Sequence, residues 1–167
     1  MVTSIKGNDT STFGGNVDVT GNVITDAPAF SAYLNADQTV SASTWTKVQC
    51  DIEEGDTNSN YDNSTNYRFT PAIAGWYQIN GHICHINNTT AAAIAIYKNG
   101  VSHKWGTFDS NSTGTADRDM VASSLVYLNG STDYVELYGF TTGTTFRGLN
   151  SFNPSRTFFN GFLARAV

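Results

Sequence analysis

Tyr134-Val135-Glu136-Leu137-Tyr138-Gly139-Phe140 decides the fold class, because it reads as a strand with large apolar or aromatic side chains on both faces. Strand side chains alternate, so Val135 and Leu137 point one way while Tyr134, Tyr138 and Phe140 point the other. A sandwich core takes one of these faces and the second needs another cover. The doubling recurs elsewhere: Phe158 and Phe162 oppose Phe159 and Leu163, and Trp76 opposes Tyr77 and Ile79. An aromatic second face without flanking helices implies that another copy of the chain covers it, or else that loops do.

Outward from this stretch the chain continues as short strands punctuated by turns. Strands are expected over 30–34, 45–50, 67–70, 75–86, 91–97, 101–108, 120–128, 134–140 and 157–164. Ala91-Ala92-Ala93-Ile94-Ala95-Ile96-Tyr97 has helix-compatible residues, but it runs into Lys98-Asn99-Gly100, and Asn-Gly is the strongest short hairpin signal. It is read as a strand. About ten strands after residue 28 predict an all-β, two-sheet jelly roll.

Composition agrees. The 167 residues suit one domain, with 40% hydrophobic and 13% aromatic residues to build a core. Charged residues reach only 14%, while Thr, Asn and Ser number 22, 17 and 15, so the polar surface is largely uncharged and turn-rich. A net charge of −5 supplies no basic field for a phosphate backbone, which argues against nucleic acid as a partner. No stretch approaches the roughly 20 apolar residues that span a bilayer, and residues 1–12 are too polar for a secretory leader's apolar segment. The expectation is a protein that stays where it is made, or one whose leader has been removed.

Residues 1–28 differ from the rest, being rich in Gly, Thr, Asn and Asp. Gly15-Asn16-Val17-Asp18-Val19-Thr20 is followed by Gly21-Asn22-Val23-Ile24-Thr25-Asp26, a six-residue repeat whose Val and Ile need neighbouring copies to be buried. This is an extended stalk or linker in the manner of a fibre shaft, or one irregular hairpin. Residues 29–167 form the head.

Tyr61-Asp62-Asn63-Ser64-Thr65-Asn66-Tyr67-Arg68-Phe69-Thr70-Pro71, then Gly75-Trp76-Tyr77-Gln78-Ile79 and His82, resembles the signature of the C1q-like domain, a relative of the tumour-necrosis-factor jelly roll. Ala29-Phe30-Ser31-Ala32 resembles its opening strand. Lys98-Asn99-Gly100, the run from Asn129 to Leu137 and Phe159-Asn160-Gly161-Phe162-Leu163 follow in the family's order. The resemblance implies a ten-stranded jelly roll assembling as a homotrimer, with no enzymatic activity. Tyr77, Tyr134, Tyr138, Phe159 and Phe162 are then expected in the trimer interface or the core. The wording of the motifs and the stalk is similar to bacteriophage structural proteins, which implies a virion protein made in the host cytoplasm, sitting on a tail fibre or capsid fibre. Its partners would be itself, other virion proteins and a host surface glycan or protein. A secreted ligand of the C1q type and a glycan-degrading depolymerase are the alternatives. The chain departs from the family at Cys50 and Gly55, where aromatic residues are usual.

Chemistry is sparse. His82 and Cys84 share a strand face and His85 points away, which disfavours a Cys-His dyad and leaves a weak metal pair. Cys50 and Cys84 are expected as free thiols. Asp56, Asn58, Asn60 and Asp62 place oxygens at alternate positions as calcium loops do, but Tyr61 and Tyr67 stand where an EF-hand needs Gly and Glu. Some C1q-like trimers hold calcium at the apex, so these four are calcium candidates beside the reading of a plain exposed loop; no cofactor is otherwise expected. Asp117/Asp119 and Asp51/Glu53 are carboxylate neighbours more typical of a solvated edge than of a hydrolase cleft. Trp105, Phe108 and Asp109 in a Gly/Ser/Asn-rich region are candidates for receptor or glycan contact, or for a packed strand end.

Overall fold

A computed structural model describes residues 26–86, 89–110, 117–149 and 156–167. The repeat of residues 15–25 lies outside the described residues. Thirteen strands are present among the described residues, with no helix. They are β1 (Ala29–Tyr33), β2 (Gln38–Thr39), β3 (Thr46–Lys47), β4 (Ile52–Asp56), β5 (Tyr61–Asp62), β6 (Arg68–Phe69), β7 (Ala74–His85), β8 (Ala92–Lys98), β9 (Val101–Asp109), β10 (Arg118–Asn129), β11 (Val135–Thr141), β12 (Thr145–Phe146) and β13 (Phe158–Ala166). Among the described residues no helix is long and apolar enough to cross a membrane.

The strands form two antiparallel sheets. In the seven-stranded sheet the order is β2-β12-β7-β13-β1-β4, with β10 also paired to β7; in the six-stranded sheet it is β5-β6-β11-β8-β9, with β3 also paired to β11. Apart from the consecutive pairs β5-β6 and β8-β9, neighbouring strands are non-consecutive, which gives the jelly-roll crossovers. Between the sheets lies an aromatic centre: Phe30 of β1 stacks on Phe69 of β6 at 4.3 Å and on Tyr61 at 5.1 Å, and Phe159 and Tyr77 meet this cluster edge-on. Ile79, Ile83, Ile94, Ile96, Leu128, Val135 and Leu137 fill the rest.

The long strands form where the alternation is strongest. β8 and β9 turn through Asn99-Gly100, both at positive φ (54° and 75°), the geometry of the primed hairpin turn that Asn-Gly favours. Three two-residue strands (β2, β5 and β12) and β4 have no counterpart among the expected strands. β4 reads Ile-Glu-Glu-Gly-Asp, with no apolar alternation to announce it, and forms because β1 supplies a ladder through a register shift between Ser31 and Ala32.

The expected strand over 45–50 is also shortened, to β3. Beyond Lys47 the Val48 N–H still donates to the Leu137 carbonyl at 2.9 Å, while on the other edge a side chain takes the place of a strand: the Gln38 amide donates to the Lys47 carbonyl at 2.9 Å and accepts from the Gln49 N–H at 3.0 Å. Val48 and Cys50 still reach the core.

The lip between β9 and β10 is closed by close approach. At Gly106 a Cβ would lie 2.2 Å from the Val121 carbonyl oxygen, so no larger residue fits without displacing backbone. Next to it, the Thr107 hydroxyl donates to that same carbonyl at 3.2 Å and accepts from the Val121 N–H at 3.4 Å.

Candidate functional site

The structure sorts the five residues expected in the interface or the core. Tyr77 and Phe159 point inward and are fully buried. Phe162 points outward from the seven-stranded sheet and is 50% exposed. Tyr138 is half-buried on the outer face of the six-stranded sheet, stacked on Tyr97 at 3.9 Å. Tyr134, just before β11, lies under the Arg68 guanidinium at 4.2 Å from its ring centre.

Both sheets therefore carry a second face, and the ladder registers lay them out. On the outer face of the seven-stranded sheet one row runs Phe162–Gln78–Leu125, the next Asn160–Asn80–Ser123 and the next Phe158–His82–Val121. Trp76 and Tyr127 pair one row beyond Gln78, their rings 5.7 Å apart. The middle row is polar and internally bonded: Asn80 and Gln78 share the Ser123 hydroxyl, and Asn80 also donates to Asn160. Apolar side chains at Trp76, Val121, Leu125, Tyr127 and Phe162 surround it in the open.

At the far end of this face charged groups are paired. Arg156 donates to Asp119 at 2.7 and 2.9 Å and to Asp117 at 2.8 Å, and Arg147 reaches Asp117 at 3.2 Å. The His82 ring stacks on Phe158, contacts the Arg156 carbonyl oxygen through Nδ1 and lies 3.5 Å from Asp119 through Nε2. Asp117 and Asp119 are thus ion-paired side by side, and Asp51 accepts from the Asn35 N–H at 2.8 Å. Neither carboxylate pair is arranged across a cleft.

Cys50 and Cys84 are free and buried. Burial pushes the Cys84 thiol up to about 12 and raises Cys50 further, so neither is a nucleophile. His85 faces the core edge-on to Phe146, with neither ring nitrogen hydrogen-bonded; burial lowers its pKa to about 4.

The two carboxylates among the calcium candidates are occupied by their own loop, whereas Asn60 Oδ1 is buried without a hydrogen-bond partner. Asp56 accepts from the N–H groups of Asn58 and Tyr61, and Asp62 from those of Ser64, Thr65 and Asn66. These bonds hold the Asp62 carboxyl well below the usual carboxylate range. Asn60 donates to the Asn58 carbonyl, so the four residues form turns instead of converging. Among the described residues no three His, Cys, Asp or Glu side chains are grouped to hold a metal ion.

The outer face of the six-stranded sheet holds the aromatic site. Register sets Tyr138 opposite Ala95 and Ala95 opposite Trp105, then Phe140 opposite Ala93 and Ala93 opposite Phe108. Small residues therefore alternate with rings on two sides. Trp45, just before β3, leans in edge-on to Trp105 at 5.0 Å and at 5.8 Å from Phe140. The result is a dimple of ≈ 110 Å³ lined by Trp45, Trp105, Phe108 and Phe140, with Ala93 as its floor. Trp105 is 60% and Phe108 55% exposed.

Trp105 and Phe108 come together, their ring centres 6.5 Å apart, whereas Asp109 turns to Arg118 at 2.8 Å, away from the dimple. Sequence reasoning missed Trp45, Tyr97, Ala93 and the part played by Phe140. The available signal was Ala93, Ala95 and Tyr97 on one strand face, two small residues and a ring in alternation.

No protein-family model matches the sequence, and no curated protein matches it either. Solved structures do. The globular domain of zebrafish complement 1qA protein aligns with TM-score 0.60 at 22% identity, over 84% of this chain and 99% of its own. Murine APRIL at pH 8.0 aligns with TM-score 0.61 at 11% identity, over 82% of this chain and 98% of its own. Eiger TNF from S. frugiperda aligns with TM-score 0.61 at 11% identity, over 84% and 94%. At these identities the likeness concerns the fold: the chain is an all-β sandwich of the C1q/TNF jelly-roll type.

Proposed function

We propose that the protein is a homotrimeric adhesive head on a short stalk, placed at the tip of a bacteriophage tail fibre or on a capsid-surface fibre, which attaches the virion to a glycan or protein of the host cell surface. Its partners are its own copies, the adjoining virion proteins and that receptor. The observation that carries the reading is the outer face of the seven-stranded sheet, where Trp76, Val121, Leu125, Tyr127 and Phe162 stand exposed around a polar centre in a single chain. A contiguous apolar face of this kind is covered by a subunit in a soluble protein. Three copies also present three equivalent receptor sites, so weak contacts add through avidity. The glycine-spaced repeat of residues 15–26 supports the fibre setting.

Light scattering at micromolar concentration is the first test, with a mass near three times the 18.0 kDa of one chain expected. A mass of one chain refutes the trimer. Binding of the labelled protein to bacterial cells is the second test, and a protein that binds no host cell refutes the adhesive role. The alternative of a secreted ligand draws on the same likeness of fold and on nothing further. Cell binding confined to animal cells would select it.

A further inference from the structure

The aromatic dimple has rings that are held in place and hydrogen-bonding groups that are not used. Trp105 Nε1 donates to the Ser102 hydroxyl at 2.9 Å, and the ring abuts Trp45, so its exposed face is pre-set without a ligand. One row along, Tyr97 and Tyr138 stack on each other. Their hydroxyls and Trp45 Nε1 make no hydrogen bond to the described residues. Burial raises the pKa of both tyrosines, which keeps those hydroxyls neutral donors. Glu136, beside Tyr97 in register, is buried; Lys47 pairs with its Oε1 and meets its charge, while its Oε2 has no hydrogen-bond partner.

These features select a ligand. An anionic or cationic group on this surface would find no unpaired counter-charge among the dimple-lining residues. A purely aliphatic side chain would leave the phenolic and indole donors unmatched. A neutral sugar meets both demands, its C–H face lying on the indole and its hydroxyls on the donors. The dimple is also small. At about 30 Å³ per water it holds the equivalent of only a few waters, less than a whole pyranose but enough for a planar methyl amide.

We infer that the dimple lined by Trp45, Trp105, Phe108 and Phe140 is a carbohydrate subsite that takes the acetamido group of a neutral N-acetylhexosamine in a bacterial surface polysaccharide, with the pyranose against Trp105. The methyl group sits on Ala93, and Trp45 Nε1 and the Tyr97 and Tyr138 hydroxyls serve the sugar's oxygens. This rests on the adhesive reading above and gives it a ligand class.

The test uses the full chain and three matched probes: chitotriose, cellotriose, which lacks the acetamido groups, and the glucosamine trimer, which replaces them with ammonium groups. Saturation-transfer NMR and tryptophan emission are expected to show saturable binding of chitotriose, strongest at the acetyl methyl, and binding of the other two about tenfold weaker or worse. Trp105→Ala, at an exposed ring that leaves the core intact, is expected to weaken chitotriose binding about tenfold. Ala93→Leu, which fills the floor, is expected to do the same with unchanged near-UV circular dichroism.

Equal binding of chitotriose and cellotriose overturns the acetamido assignment. Unchanged binding by Trp105→Ala overturns the site, as does a trimer in which Trp105 is shielded by a neighbouring copy or a bound peptide. If the wild-type chain binds host cells and Trp105→Ala binds them equally well, this inference falls while the adhesive reading stands. If the wild-type chain binds no cells yet takes up chitotriose at Trp105, the adhesive reading falls and the subsite stands.

Discussion

Phe30 and Phe69 belong to opposite sheets and stack at 4.3 Å with their planes 19° apart, so this ring pair ties the two layers of the sandwich together. Phe69 also meets Tyr77 edge-on. Phe30 and Tyr77 both belong to the facing seven-stranded sheet, so replacing Phe69 removes two inter-sheet ring contacts at once. Phe69→Ala is expected to lower the unfolding free energy by about 3–5 kcal/mol. Urea unfolding followed by tryptophan fluorescence measures it, and a loss below about 1 kcal/mol would show that the site collapses around the gap.

His85 predicts acid sensitivity. Its folded pKa of about 4 lies below the ordinary 6.5, so the folded state binds fewer protons than the unfolded state between those values. The contribution is complete above pH 6.5, falls as the pH drops, and is exhausted near pH 4. On the order of 3 kcal/mol is lost across that window. His85→Phe, which keeps a ring against Phe146, is expected to flatten the melting temperature between pH 6.5 and 4. A variant whose acid limb matches wild type would assign the loss to other groups.

The two thiols give a chemical readout of packing. Cys50 and Cys84 are buried with raised pKa values, so at pH 8 neither is expected to react with Ellman's reagent in the folded protein, and both are expected to react in urea. Fast labelling of one thiol without denaturant would mean that its side of the sandwich opens.

The loop from Asp56 to Asp62 spends its carboxylates on its own N–H groups. Calcium at 1 mM is therefore expected to leave the melting temperature within about 1 °C of its value in chelator, whereas a bound ion at a hundredfold excess over its Kd would add about 2.7 kcal/mol of stability. Asp62→Ala, by contrast, is expected to cost about 1 kcal/mol as its turn loses an acceptor.

The parts of this fold with strong alternation are legible in the sequence. β7, β10, β11 and β13 fall within a residue or two of their expected positions, and the inward and outward assignments of Val135, Leu137, Tyr138 and Phe140 match the observed burial. The Asn99-Gly100 turn was readable because the residue pair fixes its backbone signs. β2, β4, β5 and β12 were not, since their partners decide them. Nothing local tells Gln38 to stand in for a strand beside Lys47 and Gln49. The same limit applies to the aromatic site. Trp105 and Phe108 are near neighbours on one strand, but Trp45 and Phe140 are brought there by the pairing of β3 with β11 and β11 with β8, which residue spacing does not reveal.

The contact at Gly106 and Thr107 reaches beyond the two strands it joins. β10 borders the seven-stranded sheet and β9 the six-stranded one, and a bare border of twelve residues invites a foreign strand to add on. Where β9 folds against Val121, that invitation is withdrawn on one side, and Glu53 and Glu54 on β4 guard the opposite border with charge. Many copies can therefore crowd together at high local density without zipping edge to edge into a continuous aggregate.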